Sequence, residues 1–382
     1  MFSCVRALCV CVVLWTFIGL SHSQNGAACK TRQGGNGNCI RREDCKPLIE
    51  ALGGDLNSPK SIKILLQWRC NKGTLVCCPE DVYSRPPPSV ARHRNLKLLN
   101  TDCGEYTEDR VFGGNKTGVI EFPWMALISM DEGYTRDFKC GGSIINEHYI
   151  LTAAHCVTGT SSRLVGIRVG EHDISTETDC EPASGFSRPY CAPPVQDFGI
   201  AEVIAHPGYV GTKPARNLEL QNDIALIRVD GKINLLEDNA LPVCLPTYKA
   251  VQELKLTGLN LTVSGWGKTN NVKDSWSQPS PDLLKAHLPV ISNRRCGQIF
   301  NGSLGDGIGY KQMCAGGVKG VSSCGGDSGG PLILGTTYNG IIRAVQYGVV
   351  SGGHPTCGVK DKPAIFTRVA YYMDWILDNI RP

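Results

Sequence analysis

Cysteine content restricts most strongly what this chain can fold into. The sequence has 19 cysteines among 382 residues, more than a cytosolic protein carries unless metal ions bind them. Cys4, Cys9 and Cys11 fall in an N-terminal apolar segment, and the other sixteen are an even number. Complete pairing in an oxidising compartment would give eight disulfide bonds, so the sequence predicts a fold stabilised by cross-links.

Residues 1–23 have the pattern of a signal peptide. Arg6 precedes an apolar run, Ala7–Gly19, and the small residues Ser21 and Ser23 follow it. The run has about 13 residues whereas a membrane span needs about 20, which favours a cleaved signal over a membrane anchor. No later apolar stretch reaches spanning length. We therefore expect a secreted, extracellular chain without a membrane span.

Charge and hydrophobicity exclude two further classes of protein. The formal net charge of +4 and the charged fraction of 19% lack the basic excess of a nucleic-acid-binding protein, so we expect no nucleic acid partner. The hydrophobic fraction of 42% is sufficient for a core and argues against disorder. The 44 glycines and 22 prolines favour strands and turns over a helical bundle.

Six cysteines lie close together within residues 24–78, which we interpret as one small domain. This segment is too short for a large core but sufficient for a disulfide-stabilised module. A zinc site is the alternative, but the cluster has no histidine and lacks the spacing of paired C-x-x-C ligands. Six cysteines allow fifteen pairings, and adjacent Cys77 and Cys78 are expected to bond to different partners.

Residues 79–110 form a predicted linker and activation segment. The segment contains Arg85-Pro86-Pro87-Pro88 and Arg92-His93-Arg94 and has no sustained hydrophobic period, so we expect a solvated, partly extended chain. The basic triplet could also bind a polyanion, which is the alternative interpretation.

From residue 111 to residue 382 the pattern is that of one larger, strand-rich domain. Short apolar runs alternate with Gly, Pro, Asn and Asp, as in barrels or sandwiches. The runs include Trp124–Ile128, Gly199–Ile204, Ile224–Val229, Leu261–Trp266 and Tyr347–Ser351. The C-terminus alone has helical spacing, with apolar residues at Val369, Tyr372, Met373, Ile376 and Ile380.

Three segments of this domain carry residues suited to nucleophilic hydrolysis. A serine hydroxyl needs an imidazole to accept its proton and a carboxylate to hold that imidazole in the correct tautomer. His155, Asp223 and Ser328 supply these groups, and they occur in the chain order of one known Ser-His-Asp arrangement. Glycines surround Ser328, so the backbone N–H groups of Gly326 and Ser328 are candidate oxyanion donors.

These motifs resemble two known families. The segment from Arg110 to Pro382 is similar to the chymotrypsin-like (trypsin-family) serine proteases, and the cysteine spacing that closes on Cys77-Cys78-Pro79 resembles the clip domain of arthropod clip-domain serine proteases. The resemblance implies an all-β fold of two six-stranded antiparallel barrels with a C-terminal helix, preceded by a small disulfide-rich clip domain. It implies a serine endopeptidase that requires no cofactor for its chemistry.

The resemblance also implies how the cysteines pair. In the clip domain the pairs would be Cys29 with Cys77, Cys39 with Cys70 and Cys45 with Cys78. In the protease domain they would be Cys140 with Cys156, Cys296 with Cys314, and Cys324 with Cys357. Cys103 would bond to Cys244 and keep the N-terminal part attached, and Cys180 would bond to Cys191 within an inserted loop.

By the same resemblance the chain is a zymogen. Cleavage after Arg110 would free Val111, whose ammonium group would pair with a buried carboxylate, Asp327, beside the nucleophile. Such a buried charge needs its partner, so the uncut chain is expected to have a poorly formed pocket.

Substrate preference is expected from the primary pocket. In the resembling proteases the residue six positions before the nucleophile lies at the pocket base, and here it is Ser322, which cannot offset the desolvation of a substrate Arg or Lys. Gly353 and Ala364 would form the pocket walls and Ser351 the adjoining strand, where Gly352 replaces the usual aromatic residue. We expect a mostly apolar slot for aromatic or large aliphatic residues, with elastase-like selection as the alternative.

A metal site and three glycosylation sites are expected on the surface. Oxygen donors at Glu171, Asp173, Thr176 and Asp179 suit a structural calcium ion, and a solvated acidic turn is the alternative. Asn115, Asn260 and Asn301 each begin an N-x-[ST] acceptor for glycosylation.

The resemblance implies a role in an extracellular cascade of arthropod innate immunity, in melanisation, Toll activation or clotting. The expected partners are protein substrates, among them other zymogens or clip-domain homologues, an upstream trypsin-like activating protease and serpin inhibitors. Two alternatives remain: a non-catalytic cofactor that uses the protease fold as a scaffold, and a digestive chymotrypsin or elastase-like protease.

Overall fold

The computed structural model divides the chain into two compact units, residues 1–82 and 83–382. None of the helices in its described part is long and apolar enough to cross a membrane. The described residues are 27–30, 36–45, 48, 56, 58–70, 74–79, 86–105, 117–131, 133, 136–158, 163–182, 188–209, 211, 220–268, 279–300, 308–354 and 356–382.

The first unit is a small antiparallel sheet with one helix. Its strands β1 (Ala28–Lys30), β2 (Asn36–Ile40) and β3 (Val76–Pro79) pair in that order. Helix α1 (Pro59–Gln67) begins after Ser58, whose hydroxyl accepts the Ser61 N–H at 3.1 Å as an N-cap. Cystines make up much of the buried core, as expected for a domain too small to bury a large apolar cluster.

The second unit begins with a closed six-stranded barrel in the order β10-β11-β6-β5-β4-β7. A two-stranded hairpin, β8 with β9, projects between β7 and β10. The barrel strands are β4 (Met125–Asp131), β5 (Arg136–Asn146), β6 (Tyr149–Thr152), β7 (Arg163–Val169), β10 (Gln196–Ala205) and β11 (Ala225–Asp230), and the hairpin strands are β8 (Cys180–Glu181) and β9 (Tyr190–Cys191).

A second closed barrel follows, in the order β12-β13-β14-β17-β16-β15. Two short helices, α2 (Lys249–Gln252) and α3 (Asn293–Ile299), lie before β12 and β14. The strands are β12 (Asn260–Gly265), β13 (Leu284–Ile291), β14 (Gln312–Gly316), β15 (Pro331–Tyr338), β16 (Ile341–Gly352) and β17 (Pro363–Arg368).

The C-terminus forms a 3-10 turn, Val369–Tyr372, followed by helix α4 (Met373–Asn379). Its apolar face is buried in the same hydrophobic cluster as the first barrel, which explains the helical spacing of apolar residues in the sequence. Two six-stranded antiparallel barrels, a C-terminal helix and a disulfide-rich N-terminal unit confirm the predicted fold class. The five apolar runs named above fall on β4, β10, β11, β12 and β16.

Residues 86–105 differ from the solvated linker expected for this segment. Val90 and Leu99 are buried in the hydrophobic cluster of the first barrel. The Asn95 side-chain amide donates to the carbonyls of Leu377 and Ile380, at 2.8 and 3.2 Å. Val90 and Leu99 are therefore not solvated, because they find apolar partners in the second unit, whereas Arg92 and Arg94 of the basic triplet are exposed.

Eight disulfide bonds join the sixteen cysteines after residue 24. Their pairs are those implied by the family resemblance: Cys29–Cys77, Cys39–Cys70, Cys45–Cys78, Cys103–Cys244, Cys140–Cys156, Cys180–Cys191, Cys296–Cys314 and Cys324–Cys357. Cys103–Cys244 spans a sequence separation of 141 residues and joins the segment 86–105 to the chain beyond residue 111.

This bond predicts how the chain behaves after a cut at Arg110. The two fragments should stay covalently joined, because Cys103 lies before the cut and Cys244 lies after it. None of the other seven bonds crosses that position, so the link depends on this bond alone. A denaturing gel without reductant should show one species, and the same gel with reductant should show two. Separation without reductant would contradict the pairing.

Candidate active site

His155 lies where the first barrel faces the second. It sits in a 3-10 turn, Ala154–Cys156, directly after β6. The Cys140–Cys156 disulfide bonds this turn to β5. The turn is thus fixed on both sides, and the imidazole stays partly exposed to solvent.

Asp223 is fully buried beside this imidazole. Its carboxylate accepts hydrogen bonds from His155 Nδ1 at 2.7 Å and from the His155 backbone N–H at 2.8 Å. The Ser351 hydroxyl donates a third, at 2.6 Å, from the second barrel. With Nδ1 donating to the carboxylate, Nε2 is left with a lone pair, as a general base requires.

Two residues that hold Asp223 were not recognised from the sequence in this role. Ser351 was expected beside the substrate, and Thr367 was not singled out. The Thr367 hydroxyl donates to the Asp223 backbone carbonyl at 2.7 Å. Because these partners lie 128 and 144 positions from Asp223, no local pattern could have revealed the contacts.

Ser328 lies on a loop held between the two barrels. Its carbonyl accepts the N–H of Gly141 in β5 at 2.7 Å, and the next residue, Gly329, donates to Val350 in β16 at 2.8 Å. Gly329 has φ +79°, and a Cβ there would collide with Thr152 and lie 2.5 Å from the Gly141 carbonyl oxygen. Only glycine fits this position, which explains one glycine of the motif.

Asp327 lines a cavity in the second barrel, beside strands β12 and β13. Its carboxylate accepts the N–H groups of Gly267 and Cys324, both at 2.8 Å. The residue keeps some surface access, but its carboxylate is so enclosed that desolvation raises its pKa to about 6, with the two N–H groups opposing the shift. The cavity has a volume of about 160 Å³ and is also lined by Lys285.

A further pocket of about 230 Å³ opens beside Ser328. Ser322, Gly353 and Ala364 line it as expected, and its described lining contains no carboxylate. The lining is more polar than the apolar slot predicted from the sequence, because it also includes Lys362 and His354. These two residues could not be anticipated, since they follow the strand in a loop without a regular pattern.

Gly352 leaves space that another segment fills. A Cβ at Gly352 would lie 3.0 Å from a methyl group of Leu220. Leu220 therefore occupies the space that a side chain at position 352 would need.

The four oxygen-bearing residues of the predicted calcium site are close together but already bonded within the protein. Asp179 accepts the Thr176 hydroxyl at 2.6 Å and the His172 N–H at 2.9 Å, and Asp173 accepts the Ser175 hydroxyl at 2.6 Å. Glu171 is paired with Arg168 at 3.2 Å. Desolvation, and then the charge of Asp179, raise the pKa of Glu171, while Arg168 opposes the shift.

Several predicted residues lie outside the described part of the chain. They are the signal peptide, the cleavage site Arg110 and Val111, and the glycosylation acceptors Asn115 and Asn301. Asn260 is described and is exposed at the start of β12.

Two barrels that meet around these residues define the class of the protein, a chymotrypsin-like serine protease. The family model of trypsin matches residues 111–376, and the model of the regulatory CLIP domain of proteinases matches residues 29–78. The chain belongs to the clip-domain serine proteases of arthropods.

Individual relatives agree with this assignment. Melanization protease 1 of Drosophila melanogaster is 36% identical over 92% of this chain and 93% of its own length. Phenoloxidase-activating factor 1 of Holotrichia diomphalia is 38% identical, with 97% and 98% covered. The crystal structure of the Drosophila Grass clip serine protease of the Toll pathway matches with a TM-score of 0.62 and 31% identity, covering 93% of this chain and 97% of that one.

The enclosed Asp327 carboxylate predicts a pH dependence of stability in the uncut chain. Its folded-state pKa of about 6 lies above its ordinary value of 3.8, so the ionised group lowers the free energy of unfolding above pH 6. The penalty, about 3 kcal/mol, disappears as the pH falls from 6 to 3.8. The free energy of unfolding of Asp327→Asn, measured relative to the parent by urea unfolding, should therefore rise by up to about 3 kcal/mol between pH 4 and pH 7, because only the parent carries the ionisable group. A difference that does not change with pH would contradict the shift.

Proposed function

We propose that this chain is an extracellular serine endopeptidase zymogen that acts in a proteolytic cascade of arthropod innate immunity. The observation that carries the proposal is the 2.7 Å hydrogen bond from the partly exposed His155 imidazole to the buried Asp223 carboxylate, in the same unit as the glycine-held Ser328 loop. Retention of all three residues favours an active protease over a non-catalytic cofactor.

The proposed reaction is acyl transfer through Ser328. His155 Nε2 takes the hydroxyl proton while Ser328 Oγ attacks the peptide carbonyl, and Asp223 stabilises the imidazolium. The N–H groups of Gly326 and Ser328 bind the developing oxyanion. His155 then protonates the leaving amine, and a water molecule, activated by the same imidazole, hydrolyses the acyl-enzyme.

Activation is proposed to use the cavity around Asp327. A cut after Arg110 would create an ammonium group at Val111, and the Asp327 carboxylate, whose pKa is raised by desolvation in a cavity of about 160 Å³, is a suitable receptor for it. Pairing lowers the cost of the buried charge and gives a reason for the active conformation to depend on cleavage. The activating protease would be trypsin-like, because the bond to be cut follows an arginine.

The proposed substrates carry an aromatic or large apolar residue before the scissile bond. Ser322 supplies no charge for an arginine, and Lys362 in the same lining adds repulsion against any cationic side chain. The names of the relatives, which include melanization protease 1 and the Spaetzle-processing enzyme, support protein substrates within an immune cascade. Inhibition by serpins stays a prediction.

Calcium and glycans stay predictions within this proposal. A calcium ion in loop 171–179 would have to replace the Thr176 hydroxyl at Asp179 and Arg168 at Glu171. Exposure suits Asn260 as an acceptor, although it pairs with Pro289 in the sheet.

Ser328→Ala tests the nucleophile. The variant should be secreted and folded like the parent, because the hydroxyl contributes chemistry rather than packing. Turnover after cleavage at Arg110 should fall by several orders of magnitude, on the order of 10⁴ or more. The measurement is hydrolysis of a chromogenic peptide, with labelling by a serine-directed reagent as control. Parent-like turnover would refute the proposed triad, and no labelling of the cleaved parent would favour the non-catalytic cofactor.

Ser322 predicts that the chain does not activate itself. The cleaved enzyme should cut after Tyr, Phe or Leu and discriminate against Arg by about a hundredfold or more, since an unpaired buried guanidinium costs several kcal/mol. A peptide library checks this preference, and Ser322→Asp should raise cleavage after Arg. Ser89→Asp, a change at an exposed serine that does not line the pocket, provides a control. Efficient cleavage after Arg by the parent, or autoactivation of the pure zymogen, would contradict the pocket assignment.

A further inference from the structure

Residues 117–121 form a short turn before β4, which we call the stem. The Thr117 hydroxyl donates to the Leu283 carbonyl at 2.9 Å, and the Gly118 N–H donates to the Glu121 carboxylate at 3.0 Å. The Glu121 N–H in turn donates to the Gly118 carbonyl at 3.1 Å. The stem is thus closed on itself and bonded to the chain just before β13.

A buried ion pair joins the stem to the wall of the Asp327 cavity. Glu121 Oε1 lies 2.5 Å from Lys285 Nζ, and the two side chains are only 10% and 5% exposed. Lys285 belongs to β13 and lines the cavity that contains Asp327. Glu121 uses its other carboxylate oxygen for the Gly118 N–H, so one side chain connects the turn and the cavity wall.

A second carboxylate, from a residue 62 positions away in the chain, also bonds to the stem. Glu181 accepts the Val119 N–H at 3.0 Å. Glu181 lies in the hairpin of β8 and β9, next to the Cys180–Cys191 disulfide. The inserted loop therefore contributes to the same turn as Glu121.

These contacts are not needed for the triad chemistry. A buried ion pair is weak evidence for stability, because its desolvation cost commonly cancels its attraction and apolar residues of similar size replace it without loss. What such a pair does provide is a fixed geometry for the segments it joins. Here those segments are the stem and the cavity wall.

The position of the stem matters because the new N-terminal segment, which would begin at Val111, is attached to it. Only six positions separate Val111 from Thr117, so a new N-terminus reaches at most about 20 Å from the stem. The effective concentration of a tethered group at its receptor depends on where the tether is anchored and falls when the anchor moves. After a cut at Arg110, a fixed stem would raise the effective concentration of the Val111 ammonium group at the cavity.

We propose that Glu121 and Lys285 are positioning residues for activation, and that Glu181 supports them: they hold the stem so that the new N-terminus occupies the Asp327 cavity. This inference rests on the proposed zymogen function. It assigns a purpose to two buried charged residues that the catalytic mechanism leaves unused.

Two variants test the ion pair. Glu121→Gln keeps an acceptor for the Gly118 N–H but leaves Lys285 without its counter-charge. The double variant Glu121→Gln with Lys285→Met removes both charges, so it avoids an unpaired buried ammonium and protects the test against misfolding. Glu147→Gln is the control for loss of an ion pair in general, because Glu147, in the β5–β6 loop, forms a 2.7 Å ion pair with Lys232 that is exposed.

After complete cleavage at Arg110, both test variants should have a kcat/KM about tenfold lower than the parent, because less of the enzyme holds its N-terminus in the cavity. The Val111 amine should react faster with cyanate, as measured by mass spectrometry. Millimolar free Val-Phe dipeptide, which supplies an untethered ammonium group, should restore most of the activity. The Glu147→Gln control should match the parent in all three measurements.

The outcomes separate this inference from the proposed function. If the cleaved parent is active and the double variant matches it in kcat/KM and in cyanate reactivity, the positioning role is wrong and the zymogen proposal stands. If the variants lose activity that the dipeptide does not restore, the ion pair is merely structural and the inference is also overturned. If the cleaved parent itself is inactive, or cyanate never reduces its activity, the proposed activation fails and the inference fails with it.

Discussion

The two barrels are joined around one buried carboxylate, Asp223. His155 approaches it from the first barrel, while Ser351 and Thr367 approach from the second. A fully buried carboxylate is tolerated only if hydrogen bonds replace its lost hydration, and neither barrel supplies all of them. The hydrogen bond from His155 to Asp223 also orients the imidazole. The two barrels must therefore come together both to supply the hydrogen bonds of Asp223 and to form the site.

A second carboxylate in the same domain is satisfied less completely. Asp327 accepts two backbone N–H groups and forms no ion pair within the described part of the chain, and desolvation raises its pKa to about 6. The contrast between the two acids has a functional meaning under the proposed mechanism. Asp223 is complete in the uncut chain, so the His155 orientation is available early, whereas Asp327 awaits a charge that only cleavage can create.

Covalent and non-covalent contacts both hold residues 86–105 within the second unit. Cys103–Cys244 closes a separation of 141 residues, and the apolar side chains of Val90 and Leu99 bury themselves beside helix α4. Residues 86–105 are therefore a structural part of the second unit rather than a passive connection. A cut at Arg110 can free a new N-terminus without releasing this segment.

The sequence by itself determined the features that depend on local patterns: the strand-rich composition, the helical spacing at the C-terminus, the cysteine count, and the residues of the His155, Asp223 and Ser328 segments. Through the family resemblance it also indicated the two-barrel fold. The tertiary structure alone decided the contacts between positions far apart in the chain, among them Ser351 with Asp223 and Glu121 with Lys285. It also placed Lys362 in the lining of the pocket beside Ser328. The physical reason is that hydrophobic period and turn residues specify one element at a time, whereas these contacts exist only after barrel closure sets which faces meet.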